Sequence, residues 1–146
     1  MVEENNKTVP SIEETEDFEM EVEEGFEIVQ IDEGVYEGEL VSLKKRSGIP
    51  VERDGKTELI SLYVWRFRLP DGIEIEGTTS TKFTKKSKAL QWASRLLQRD
   101  LEVGETLRPD QLVGKKAQVI VKNRERTIGN DKVEMSYVDD LLRLKE

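Results

Sequence analysis

The chain contains neither cysteine nor histidine. The first absence removes disulfides and thiolate chemistry, the second removes imidazole general bases, and together they leave zinc without its usual soft and nitrogen ligands. Long apolar runs are missing too. None approaches the ~20 residues that a membrane-spanning helix requires. The N-terminus is acidic where a secretory leader is basic and then apolar, so no membrane partner and a cytoplasmic location are expected. No nucleophile–base pair stands out, and a non-catalytic protein without a cofactor is expected.

Two apparent site motifs fail on their context. Gly55-Lys56-Thr57 resembles the end of a phosphate-binding loop, but Pro50 stands where the first glycine belongs and no helical pattern follows. The carboxylate runs in residues 13–24 lack the spacing and the glycine of a calcium loop.

What is present is an uneven division of charge. Residues 1–33 hold thirteen acidic side chains against one basic residue, Lys7, a net charge of −12. Residues 34–146 hold 18 acidic and 22 basic side chains, a net of +4, which completes the −8 of the whole chain. An acidic arm, residues 1–33, is thus expected to precede a mildly basic domain, residues 34–146. Carboxylates that repel each other, with few apolar residues between them, predict disorder for the arm. It reads equally as a solubility tail or as a functional arm that competes for the basic surface or recruits a basic protein partner. A stray edge strand around Phe26–Ile31 is the remaining reading.

The basic part alternates like a β protein. Val35–Leu43 predicts a first strand whose phase changes beside Gly38, the mark of a bulge or bend. Residues 47–57, with Gly, Pro and Asp-Gly, predict a loop. Leu59–Leu69 is the clearest strand: Tyr63, Trp65, Phe67 and Leu69 alternate with Leu62, Val64, Arg66 and Arg68. Pro70-Asp71-Gly72 predicts a tight turn into a third strand, Ile73–Ser80. From Ser87, a plausible N-cap, the period lengthens: Leu90, Ala93 and Leu97 share a helical face widened by Trp92 and Leu96. A short helical turn is predicted around Pro109–Gly114. Lys116–Asn123 and Lys132–Val138 predict two further strands joined across Gly129-Asn130, and Asp139–Glu146 a closing helical turn.

Three strands, one helix and two strands in that order predict a mainly β, five-stranded OB-fold-like barrel with its helix between strands three and four. Another small barrel or sandwich, or a different α+β fold, is the alternative.

Several stretches carry a resemblance as well: GVYEGELVSL (34–43), LYVWRFRLPDG (62–72), GTTSTKFTKKSKALQWASRLL (77–97), DQLVGKKAQVIV (110–121) and a final valine-containing strand. Together they resemble a family of small phage and prokaryotic proteins grouped with OB-fold single-stranded DNA-binding proteins. The resemblance covers most of residues 34–138 and implies nucleic-acid binding. Fold alone does not, since OB-folds also dock proteins.

Single strands are held by a cationic groove that follows phosphates and by aromatic faces that stack bases. For the first role the sequence offers Lys44, Lys45 and Arg46 after the first predicted strand, and Arg66 and Arg68 on the second. Lys82, Lys85 and Lys86 follow the third, and Lys122, Arg124 and Arg126 lead into the last hairpin. The basic clusters at 44–46 and 122–126 fall in the two loops that flank an OB binding face. For any single cluster, solvated surface charge is the plain alternative. Tyr63, Trp65 and Phe67 are stacking candidates, with Tyr36 and Tyr137 behind them. On a regular strand these aromatics and the two arginines cannot share a face, and alternation favours Trp65 and Phe67 for the core. The expected function is non-sequence-specific binding of single-stranded nucleic acid, DNA in the first place. The alternative is a non-catalytic adaptor in a nucleic-acid-processing complex.

Overall fold

The computed structural model describes residues 28–144. Strands β1 (Gly34–Arg53), β2 (Lys56–Arg68), β3 (Glu74–Ser80), β4 (Lys116–Ile128) and β5 (Asp131–Leu142) form one antiparallel sheet in the order β3-β2-β1-β4-β5. Helix α1 (Lys88–Leu97) and the single turn α2 (Pro109–Leu112) lie between β3 and β4. The mainly β architecture and the element order therefore agree with the sequence. The sheet itself is not closed into a barrel: no ladder joins β3 to β5. Its two edges still come close. A Cβ on Gly77 of β3 would lie 2.7 Å from the Val138 carbonyl oxygen of β5 and 2.8 Å from Trp92 Cη2. Only the absence of a side chain permits that approach.

Burial follows the alternation of β2 from Trp65 onward, while Val64, on the opposite face, is buried as well. Trp65, Phe67 and Leu69 are buried, with Leu40, Ile75, Val119, Val138 and Leu141 around them. Helix α1 covers this face with Ala89, Trp92, Ala93 and Leu96, while Leu90 and Leu97 are half-buried, so its buried stripe is shifted from the one expected. The Trp92 ring meets Trp65 edge to face at 5.4 Å and Phe67 at 6.3 Å. Both indole N–H groups have partners: Trp65 Nε1 donates to Thr79 Oγ1 and Trp92 Nε1 to Asp140 Oδ1, each at 3.0 Å. A buried N–H left unpaired costs ~1–3 kcal/mol. Ser87 caps α1 as expected, accepting from the Leu90 amide at 3.3 Å.

Several expectations are corrected. Residues 47–57 are not a loop. β1 runs on to Arg53, and only Asp54 and Gly55 turn the chain, both with positive φ (52° and 75°). That is the two-residue hairpin geometry that Asp-Gly favours. Gly48 sits at a register shift, with φ +74°, where Ser47 and Gly48 face Ser61 alone. Pro50 is tolerated because β1 pairs with β4 only from Gly34 to Glu39, which leaves its outer edge open beyond. The expected bulge near Gly38 lies at Val41, between the pairs Leu40–Phe67 and Ser42–Arg66. Asp139–Leu142 continues β5 instead of turning helical, because Leu141 completes the core face.

The packed part also starts earlier than Gly34. Val29 accepts from the Ser136 amide at 2.7 Å, and the Ile31 amide donates to Ser136 Oγ at 2.9 Å. Asn123 Nδ2 donates to the Ile31 carbonyl at 3.1 Å, and the Asn123 amide to Glu33 Oε2 at 2.8 Å. Residues 28–33 thus form a strap along β4 and β5, near the place where an edge strand was one of the readings. The rest of the acidic arm, residues 1–27, lies outside the described residues. Among the described residues, no helix is long and apolar enough to cross a membrane.

Candidate nucleic-acid interface

Two ribbons leave the sheet because the hairpin strands outlast their outer partners. β2 pairs with β3 only from Leu62 onward, so the β1–β2 hairpin projects beyond Arg46 and Leu62. β1 ends its pairing with β4 at Gly34–Val121, so the β4–β5 hairpin projects beyond Val121 and Val138. A groove of about 540 Å³ lies between them, walled by Arg46 on one side and by Arg124, Arg126 and Tyr137 on the other. Val64, Arg66, Thr78 and Val138 also line it, Lys88 enters from the start of α1, and Val29 enters from the strap.

Five basic side chains line the groove, Arg46, Arg66, Lys88, Arg124 and Arg126, against three acidic ones, Glu74, Glu76 and Asp139. The acids are not evenly placed. Arg66 is bridged by Glu74 at 3.5 Å and Glu76 at 3.4 Å, so the centre of the groove is internally compensated. The positive excess therefore lies on the two ribbons. Arg124 stacks its guanidinium over the Tyr137 ring at 4.4 Å, a cation–π contact that presents a flat, charged platform. Lys88 Nζ stands 5.2 Å from the Trp92 ring centre.

Of the residues expected from sequence, Arg46, Arg66, Arg124 and Arg126 meet here. Lys44, Lys45 and Tyr63 do not. They line a second, smaller cleft of about 360 Å³, with Leu43, Trp65, Phe83, Leu107, Pro109 and Leu112. The cluster at 44–46 is thus divided between two sites. Arg68 lies at the exposed end of β2, held by Glu74 at 2.9 Å. Lys82, Lys85 and Lys86 are exposed in the connection to α1 and line neither cleft, and Lys85 reaches Glu102 at 3.4 Å. Lys122 faces Tyr137 across the β4–β5 ladder but stays outside the groove lining.

Lys88 belongs to a basic stretch from Lys82 to Arg99 that is free of acidic residues, but it falls on the helix side opposite the apolar stripe and is not among the expected site residues. The carboxylates were missed as well, although a signal existed for them. A tight turn at Pro70-Asp71-Gly72 fixes Arg68 opposite Glu74 and Arg66 opposite Glu76. Thr79, in the threonine-rich end of β3, is buried and accepts from Trp65 Nε1.

Comparison with protein-family models and with curated proteins finds no match for this chain.

Proposed function

We propose that the protein binds single-stranded nucleic acid in the groove between its two ribbons, DNA in the first place, and acts by binding alone. The observation that carries this reading is the placement of Arg46 on one ribbon and, on the other, Arg124 and Arg126 with the Arg124–Tyr137 platform. Phosphates would be held by the ribbon arginines, and a base would stack on the platform. Arg66 contributes less, because a phosphate there competes with Glu74 and Glu76. The strand order, the helix between β3 and β4, and a groove between the β1–β2 and β4–β5 hairpins support an OB-like reading of the sheet.

Fluorescence anisotropy with single- and double-stranded oligonucleotides of DNA and RNA, across a salt series, tests the reading. Three phosphate contacts to a single strand give a slope of log affinity against log salt of about −2. Single strands should win over duplex at every salt concentration. Equal or tighter duplex binding, or no binding at low salt, defeats the proposal. The apolar cleft around Tyr63, Phe83 and Leu112 favours a second reading, a protein-docking adaptor in a nucleic-acid-processing complex.

A further inference from the structure

The chain enters the described body along a wall of the groove. Val29 both lines the groove and accepts from the Ser136 amide, and Gln30 Nε2 donates to the Glu134 carbonyl at 2.9 Å, nearer the ribbon's tip. Residues 13–27, immediately before, hold nine acidic side chains among fifteen residues and no basic one. Their order matters as much as their charge. Glu19, Glu21 and Glu23 alternate with Phe18, Met20 and Val22, so an extended chain would present a carboxylate face and an apolar face. The groove offers a partial complement: arginines on both walls and, beside them, the half-buried apolar side chains of Val29 and Met135, while Val64 and Val138 are buried.

We infer that residues 13–27 dock in this groove as an internal ligand, occupying it until a polyanion displaces them. The docking itself does not depend on the nucleic-acid reading. Its regulatory consequence rests on that reading. Tethering supplies an effective concentration in the millimolar range, enough for a contact that would be weak between separate molecules. The contact is electrostatic at the walls and is screened over ~8 Å at physiological salt. It should therefore hold at low salt and fade as salt rises.

Because the chain has no native cysteine, a single Thr15→Cys substitution places one nitroxide label on the full-length protein. Amide signals are then read without nucleic acid. A tether of thirteen residues from Ile28 averages about 20 Å when undirected, so an undocked arm would dim all nearby surfaces alike. Docking instead predicts loss of more than half the intensity at Arg46, Val64 and Thr78, on the wall opposite the strap. That loss should recover in added salt and in a variant whose nine acids are changed to Gln or Asn, with its amide dispersion otherwise unchanged. Even dimming, dimming centred on Leu43 and Tyr63, or dimming that survives neutralisation overturns the inference. Oligonucleotide titration of the same two proteins then separates the claims. If both hold, the protein with the neutralised arm binds the oligonucleotide about two- to tenfold tighter at low salt. Localised dimming without oligonucleotide binding supports docking and sinks the nucleic-acid reading. Oligonucleotide binding without localised dimming does the reverse.

Discussion

The groove and the smaller cleft share a strand yet have opposite chemistry. Tyr63 and Trp65 of β2 line the cleft, whereas Val64 and Arg66 line the groove. One strand, read in steps of two, therefore supplies an apolar site on one side and a charged site on the other. The neighbours extend the difference. The cleft receives Phe83, Leu107 and Leu112 from the connections around the helices, and the groove receives arginines from ribbons that project past the sheet. Position relative to the sheet's pairing limits, more than local composition, decides which basic residues converge. Lys45 and Arg46 are neighbours in sequence and serve different sites.

The comparison breaks first at the strand they share. Trp65→Ala removes the buried ring that packs on Trp92 and leaves Thr79 Oγ1 without its donor. A loss of ~3–5 kcal/mol is expected in denaturant unfolding. An unchanged midpoint with lost oligonucleotide binding would mean that the faces of β2 are exchanged. Gly77→Ala comes next. Its methyl would press on the Val138 carbonyl and the Trp92 ring, neither of which is a flexible side-chain end. We expect ~1–3 kcal/mol of destabilisation, toward the upper end, together with weaker groove binding because β3 and β5 must part. A fully stable Gly77→Ala protein would show that the approach of the two edges is unimportant.

Legibility from sequence followed the range of the forces involved. Alternation in Tyr63–Leu69, the Ser87 cap and the Pro70-Asp71-Gly72 turn are local, and each is found where the residues predict it. Residues 47–57 were misread because glycine and proline punctuate loops, while here Gly48 makes a bulge and Pro50 lies on an open edge. Longer-range facts were harder to see. The strap at 28–33 depends on Ser136 and Asn123, more than ninety residues away in the bonds to Ile31, and the edge-strand reading at Phe26–Ile31 names no such partner. The groove was half legible: its ribbon arginines stand out as basic clusters, but the division of 44–46 and the arrival of Lys88 depend on where the strands and helix end.

The functional contrast is sharpened by a paired measurement. Arg124→Ala with Arg126→Ala should weaken single-strand binding about tenfold, the equivalent of ~1.4 kcal/mol. The same pair should reduce the salt slope by about 1.4, as expected for two lost phosphate contacts on a single strand. Lys44→Ala with Lys45→Ala, the same number of charges removed beside the apolar cleft, should change affinity less than about twofold. Equal losses from both pairs would show that general basicity, not the groove, holds the ligand.

The smallest expected effect concerns acid, and it belongs to the cleft alone. Glu105 lines the cleft, and its carboxylate accepts from the Glu102 amide at 2.6 Å and meets Arg99 at 3.1 Å. The Glu102 amide bond, above all, holds the carboxyl below its ordinary range, with Arg99 and then Lys85 adding to that bond against some desolvation. A carboxyl whose folded pKa is depressed contributes stability above its unfolded value. That contribution starts to fade as pH falls below the ordinary glutamate value, about 4.3, and is gone once pH drops through the lower folded one. The carboxyl lies at the surface and its partners are confined to one turn and its neighbours, so the effect is local: the turn at residues 102–105 should loosen while the groove signals stay unchanged. An NMR titration that follows the Glu105 carboxyl and the Glu102 amide together checks this. Glu105→Gln should abolish the shared transition, and Arg99→Ala should raise the apparent pKa only in part, because the backbone bond remains. Full return to the ordinary value in Arg99→Ala would assign the shift to the ion pair instead of the amide.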